Sequence, residues 1–96
     1  MLQLRPTCEH CDKALPPAST EARICSFECT FCADCADRVL GNVCPNCGGG
    51  FAARPIRPAA RLGQHPATTT VTSKPVDLAA HAERVASIGG TPPERR

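Results

Sequence analysis

Eight cysteines lie between Cys8 and Cys47 of a 96-residue chain. In order they form four pairs: Cys8/Cys11, Cys25/Cys29, Cys32/Cys35 and Cys44/Cys47. The full spacing is C-x2-C-x13-C-x3-C-x2-C-x2-C-x8-C-x2-C, so three pairs are C-x-x-C and one is C-x-x-x-C. A two-residue gap lets a tight turn aim both sulfurs at one ion, at about 2.3 Å in a tetrahedral shell. Two pairs complete a shell of four thiolates, so four pairs imply two ions. Soft thiolates without alternating carboxylates favour zinc over magnesium or calcium. The spacing thus predicts two structural Zn(2+) sites with four cysteine ligands each. A disulfide knot and an iron–sulfur cluster compete for the same residue type. A redox C-x-x-C leaves the other six cysteines without a role.

The remaining composition says why such staples are needed. There is no Trp, no Tyr and only 3 Phe, so the aromatic side chains that dominate small cores are nearly absent. Chains of this size use disulfides or structural metal to compensate. The N-terminal MLQLRPTCEHC brings Arg5 and Pro6 before any apolar run develops, whereas a secretory signal needs roughly 7–15 apolar residues. No segment approaches the roughly 18 apolar residues of a membrane span. A cytoplasmic protein with reduced thiols is expected, which favours metal over disulfides.

The elements that position the cysteines are short. The stretch RICSFEC, with Ile24 and Phe27, reads as a hairpin strand, and ADCADRVLGN as a short helix ending at Gly41 with Val39 and Leu40 turned inward. Ile24, Phe31, Val39 and Leu40 form the expected small core. From Phe51 the composition shifts to Pro, Arg, Ala and Thr, with prolines at 55, 58, 66 and 75 that remove donors and oppose regular structure. The expected organisation is a two-zinc domain over 1–50, a disordered linker over 51–75, and a tail over 76–96. In that tail one helix is expected, capped by Asp77, with Leu78, Ala82 and Val85 on one face and Gly89 at its end. At about 12 residues it is marginal alone, so it reads as transient or as a docking helix. Residues 1–50 carry 4 − 6 = −2 and residues 51–96 carry 7 − 3 = +4.

Two resemblances bear on the cysteines. The layout resembles the RING-type cross-braced zinc finger, including Phe31 before Cys32 and the closing CPNC. It implies a RING-like, treble-clef-like fold in which Cys8, Cys11, Cys32 and Cys35 hold one zinc and Cys25, Cys29, Cys44 and Cys47 the other. A sequential arrangement, 8/11 with 25/29 and 32/35 with 44/47, is the alternative. The stretches LRPTCEHCDKALPP, ARICSFECTFCADCA and GNVCPNCGG resemble the short bacterial family called domain of unknown function 1272, over roughly residues 2–58. That family implies a cysteine framework and a bacterial origin, without an activity. Ubiquitin-ligase activity is not implied: His10 stands where such RINGs carry a hydrophobic residue, residues 36–43 hold no Trp, and Gly48, Gly49 and Gly50 follow the last cysteine.

Catalysis is not expected. Catalytic zinc keeps an open coordination position, and eight cysteines fill two closed shells. His10 reads as an exposed turn residue or a donor to a nearby thiolate, and His65 and His81 as solvated. No phosphate-loop, nucleophile-elbow or zincin motif occurs, and GGG at 48–50 reads as a flexible exit from a zinc knuckle. The leading expectation is a non-catalytic adaptor for a protein partner. Nucleic-acid binding through Arg54, Arg57 and Arg61 is the alternative, and zinc storage or delivery a third.

Overall fold

The computed structural model describes residues 1–96. Strand β1 (Ala22–Ile24) turns through Cys25–Cys29 into β2 (Thr30–Cys32), with Ile24 opposite Thr30 and Ala22 opposite Cys32. Strand β3 (Ala52–Ala53) pairs antiparallel with the other edge of β1, giving the order β2-β1-β3. All three residues of β2 are buried, although it is an edge strand. Its open edge is covered by Glu9, whose main-chain N–H donates to Thr30 O at 3.0 Å. The Glu9 carboxylate in turn accepts from Thr30 N at 2.5 Å. An exposed strand edge is a pairing template for other chains, and covering it removes that hazard.

The cluster at the centre holds ten buried residues: six cysteines (8, 25, 29, 32, 35, 44) with Leu15, Ala22, Phe31 and Leu40. Phe51 packs edge-on against Phe31, ring centroids 5.3 Å apart. Two members of the expected small core, Phe31 and Leu40, are fully buried, but Ile24 is half-buried and Val39 is 37% exposed. The reason at Val39 is the winding. Cys35–Val39 form one turn of π-helix, closed by Leu40 N donating to Cys35 O at 2.8 Å. The wider turn carries about one extra residue, so Val39 rotates outward while Leu40 points in. Phe27 is not a strand residue; β1 stops at Ile24, and Phe27 stands 72% exposed on the following turn.

The tail is ordered, which corrects the expectation of a disordered linker. Past β3, Arg54 N donates to Ala22 O at 3.0 Å, Thr68 N to Gln3 O at 2.9 Å and Lys74 N to Glu9 O at 2.8 Å. Val76 N donates to His10 Nδ1 at 2.9 Å. Helix α1 (Leu78–Ile88) then forms with the expected caps: the Asp77 carboxylate accepts from Ala79 N and Ala80 N, and Gly89 adopts φ +59°. Such an N-cap stabilises a helix by about 1 kcal/mol. The helix is neither free nor transient, because His81 is buried and its Nε2 donates to Leu40 O at 2.9 Å. No helix is long and apolar enough to cross a membrane.

Candidate metal centres

Two of the C-x-x-C pairs sit on turns of the same construction. In the first, Cys8 N donates to Lys13 O at 2.9 Å and Asp12 N to Cys8 O at 3.0 Å. In the last, Cys44 N donates to Gly49 O and Gly48 N to Cys44 O, both at 2.8 Å. Each turn needs a left-handed residue immediately after its second cysteine: Asp12 at φ 62° and Gly48 at φ 79°. Aspartate and glycine tolerate that region better than most residues. The GGG stretch is therefore shaped rather than flexible: Gly48 supplies the turn, and a Cβ on Gly50 would meet Pro93 Cγ at 2.7 Å. The Cys25–Cys29 turn places its left-handed residue inside the pair, at Glu28 (φ 65°).

These turns bring together Cys8, Cys11, Cys32 and Cys35, whose sulfurs all lie within 4.8 Å of one another. A second group unites Cys25, Cys44 and Cys47 within the same limit. The grouping interleaves along the chain, and Cys8 and Cys11 do not join Cys25 and Cys29 as a sequential arrangement requires. Cys29 stands at the edge of the second group. After burial, which is the larger cause, its sulfur helps to raise the pKa of Cys25, and it accepts from Asn46 Nδ2 at 3.5 Å. The first group thus holds four sulfurs and the second three, with Cys29 beside it as the fourth thiol.

The donor chemistry fits a metal ion. All eight cysteines are free thiols, and all but Cys11 and Cys47 are buried. Cys11 Sγ and Cys32 Sγ are 3.8 Å apart, and a tetrahedral shell at about 2.3 Å per sulfur spaces its sulfurs by about 3.8 Å. Backbone amides already point at sulfurs: Phe27 N donates to Cys25 Sγ at 3.3 Å, Cys35 N to Cys32 Sγ at 3.4 Å and Gly49 N to Cys47 Sγ at 3.4 Å. Such bonds favour the charged thiolate. Burial works against it, pushing the Cys25 thiol up to about 11 and raising Cys35, Cys44 and Cys11 as well. At Cys8 burial also raises the thiol, but the amides of Cys11, Cys32 and His10 outweigh it and leave it below its usual value. At Cys47 burial again opposes ionisation, and the Gly49 amide, with a contribution from the Arg84 charge, helps to bring the thiol below its usual value. A group of buried thiols that partly resists ionisation, yet is lined with amide donors, suits a cation at its centre.

The histidines differ from expectation. His10 is half-buried and its ring accepts from Val76 N, so it is not an exposed turn residue, while its main-chain N–H donates to the Cys8 sulfur. His81 is buried rather than solvated, while His65 is exposed. The arginine stripe is dismantled: Arg54 is 4% exposed, its guanidinium donating to Arg5 O, Leu15 O and Pro16 O. Arg57 donates to Leu2 O at 2.6 Å and His65 O at 2.8 Å, leaving only Arg61 exposed and without a partner.

One contributor to the first centre has no signal in the sequence. Glu9, between Cys8 and Cys11, is buried and takes both Thr30 N and Arg5 Nη1 (2.8 Å) on one carboxylate oxygen. It locks the first turn onto β2, which leads into Cys32. Glu9→Ala leaves Thr30 N unpaired and the Arg5 charge without its partner, and is expected to cost about 2–4 kcal/mol. Glu9→Gln, which keeps an acceptor, is expected to cost less than half of that. Thermal unfolding of both variants in the metal-loaded state checks the ranking; equal losses would contradict it.

Comparison with known proteins places these features. A model of the family described as "Protein of unknown function (DUF1272)" matches residues 1–57. An uncharacterized protein of Rhizobium meliloti (strain 1021) is 59% identical over 75 residues, covering 78% of this chain and 89% of that relative. No solved structure matches the chain. The family match contains all eight cysteines and Glu9, while α1 lies beyond it.

Proposed function

This chain belongs to the DUF1272 family, and we propose that it is a non-catalytic interaction module whose fold is held by two zinc ions. The observation that carries this is the interleaving of two thiol groups, each gathered from distant parts of the chain. Cys8, Cys11, Cys32 and Cys35 hold the first ion, and Cys25, Cys29, Cys44 and Cys47 the second. All-thiolate shells select zinc among the common divalent ions of hard and soft type. They leave no position for water or substrate, so the ions organise the fold and do no chemistry. Reduced thiols suit the cytoplasm.

The adaptor reading rests on this rigid frame and on the apolar points it displays, Phe27 at 72% and Ile56 at 50% exposure. Helix α1 is not the docking element, since its inward face is taken by the head. Nucleic-acid binding through Arg54, Arg57 and Arg61 loses its support, because two of the three are committed to backbone carbonyls.

Native mass spectrometry of the full chain tests the metal reading. Two zinc ions that leave on acid denaturation are expected, and Cys44→Ser, which removes a ligand of the second centre, should not load both. A metal-free mass, or one lowered by two hydrogens per disulfide, would overturn the reading. For the adaptor, a tagged chain should retain a defined partner, and Phe27→Ala should weaken it while both zinc ions stay bound.

A further inference from the structure

With Arg54 and Arg57 turned inward, the positive charge of the C-terminal half collects elsewhere. A groove of about 350 Å³ runs beside the Cys44–Cys47 turn, lined by Arg84, Ser87, Arg95 and Arg96 along with Cys47. No carboxylate side chain lines it. Two of the guanidiniums are held in place by carbonyls. Arg84 Nη1 donates to Cys44 O at 3.2 Å and Pro45 O at 2.7 Å. Arg96 donates through Nε to Thr91 O at 2.9 Å and through Nη1 to Asn42 O at 2.8 Å. In both, Nη2 has no protein partner, and Arg95 makes no side-chain hydrogen bond or ion pair. The groove therefore presents donors that are already oriented and not yet used.

We propose that this groove binds the phosphate group of a phosphorylated ligand. Arginine forks match phosphate oxygens in pairs, and holding them in advance lowers the ordering cost of binding. Three guanidiniums arriving from α1 and from the last turn of the chain, with the Ser87 hydroxyl, suit a tetrahedral set of oxygens; a planar carboxylate engages one fork. The second metal centre adjoins the groove at Cys47 and is formally 2 − 4 = −2 when loaded. The same phosphate chemistry is offered by a small phosphorylated molecule and by a nucleic-acid backbone.

This inference goes beyond the two-zinc reading and depends on it only in requiring a loaded fold, so zinc content is measured for every sample. Backbone amide shifts of the zinc-loaded full chain are followed by NMR at low salt during titration with pyrophosphate and, separately, with a short oligothymidylate. Saturable shifts confined to Gly48, Ser87, Arg95 and Arg96 are expected. The Arg95→Ala, Arg96→Ala double variant should bind at least about tenfold more weakly, while Arg61→Ala binds as the parent does. Equal affinity for both probes identifies a small phosphorylated ligand. Tighter binding of the oligonucleotide, falling steeply with salt, identifies a nucleic-acid backbone. Either result supports the site. Arg95→Ala alone, at a side chain with no bond in the protein, keeps the test sound if the double variant is disturbed. A chain that loads two zinc ions and shows no confined shift with either probe refutes the groove and leaves the zinc reading intact. Unchanged affinity in the double variant refutes it too, as does loss of zinc from Arg95→Ala, which would assign the arginines to balancing the metal centre.

Discussion

Stripping the metal from the purified chain with a strong chelator at pH 7 is expected to unfold it. Six of the ten residues in the central cluster are cysteines, so the core is mostly thiol and has little apolar surface to hold it without ions. Structural zinc sites of this kind contribute roughly 10–16 kcal/mol each at neutral pH, more than a whole domain of this size holds in reserve. Because the two groups interleave, losing one ion frees segments that also carry ligands of the other, and both halves should unfold together. The pH dependence has a fixed sign. In the metal-loaded fold the thiols are thiolates, with pKa values far below the roughly 8.5 of an unfolded cysteine. Stability from the ions is therefore present above that value and is lost as pH falls through the loaded thiolates' range. Proton NMR dispersion and zinc release to a colorimetric chelator, read together against pH, should share one steep transition. A dispersed, native-like spectrum after complete metal removal would falsify this account.

The metal centres are legible in the sequence because their geometry is local. A C-x-x-C turn is specified within six residues, by the pair and by a left-handed residue such as Asp12 or Gly48 just after it. Which pairs share an ion is a property of the whole chain path, and spacing alone leaves both arrangements open. Helix α1 is legible for a similar reason, since Asp77 and Gly89 mark its ends within the segment itself. The order of residues 51–75 is not. Its prolines read as a loss of regular structure, which is correct, but they also lower the number of backbone donors that must be satisfied. The segment lies against the head through scattered main-chain donors, Phe51, Arg54, Thr68 and Lys74, with Val76 just beyond it. Its remaining anchors are arginines on isolated carbonyls, contacts that have no period and leave no pattern in a sequence. Val39 escapes the pattern because a helical reading assumes about 3.6 residues per turn, and one π turn moves each later side chain around the axis.

Arg54 is where that hidden packing should weigh most. Replacing Arg54 with methionine is expected to destabilise the zinc-loaded chain by roughly 3–5 kcal/mol, the range for breaking a buried charged network. The guanidinium ties three separated backbone points: Arg5 O at 2.8 Å, Leu15 O at 3.1 Å and Pro16 O at 3.0 Å. These flank the first metal-binding turn on both sides, and β3 delivers the side chain from beyond the last one. Methionine fills much of the space but leaves the carbonyls without donors, and a carbonyl left buried and unpaired costs about 1–3 kcal/mol. Burial lowers the Arg54 pKa from its usual value, yet an arginine stays charged in a protein, so the contribution should not vary between about pH 6 and 9. Arg54→Lys should recover only part of the loss, because a single ammonium cannot span carbonyls on both sides of the turn as the planar fork does. The exposed Arg61→Met serves as the control, with an effect within about 0.5 kcal/mol. The readout is the thermal midpoint of the loaded chain, with two zinc ions verified in each sample. If Arg54→Met melts with Arg61→Met, the buried fork contributes nothing to the head, and β3 with the Thr68 and Lys74 bonds holds residues 51–75 in place without it.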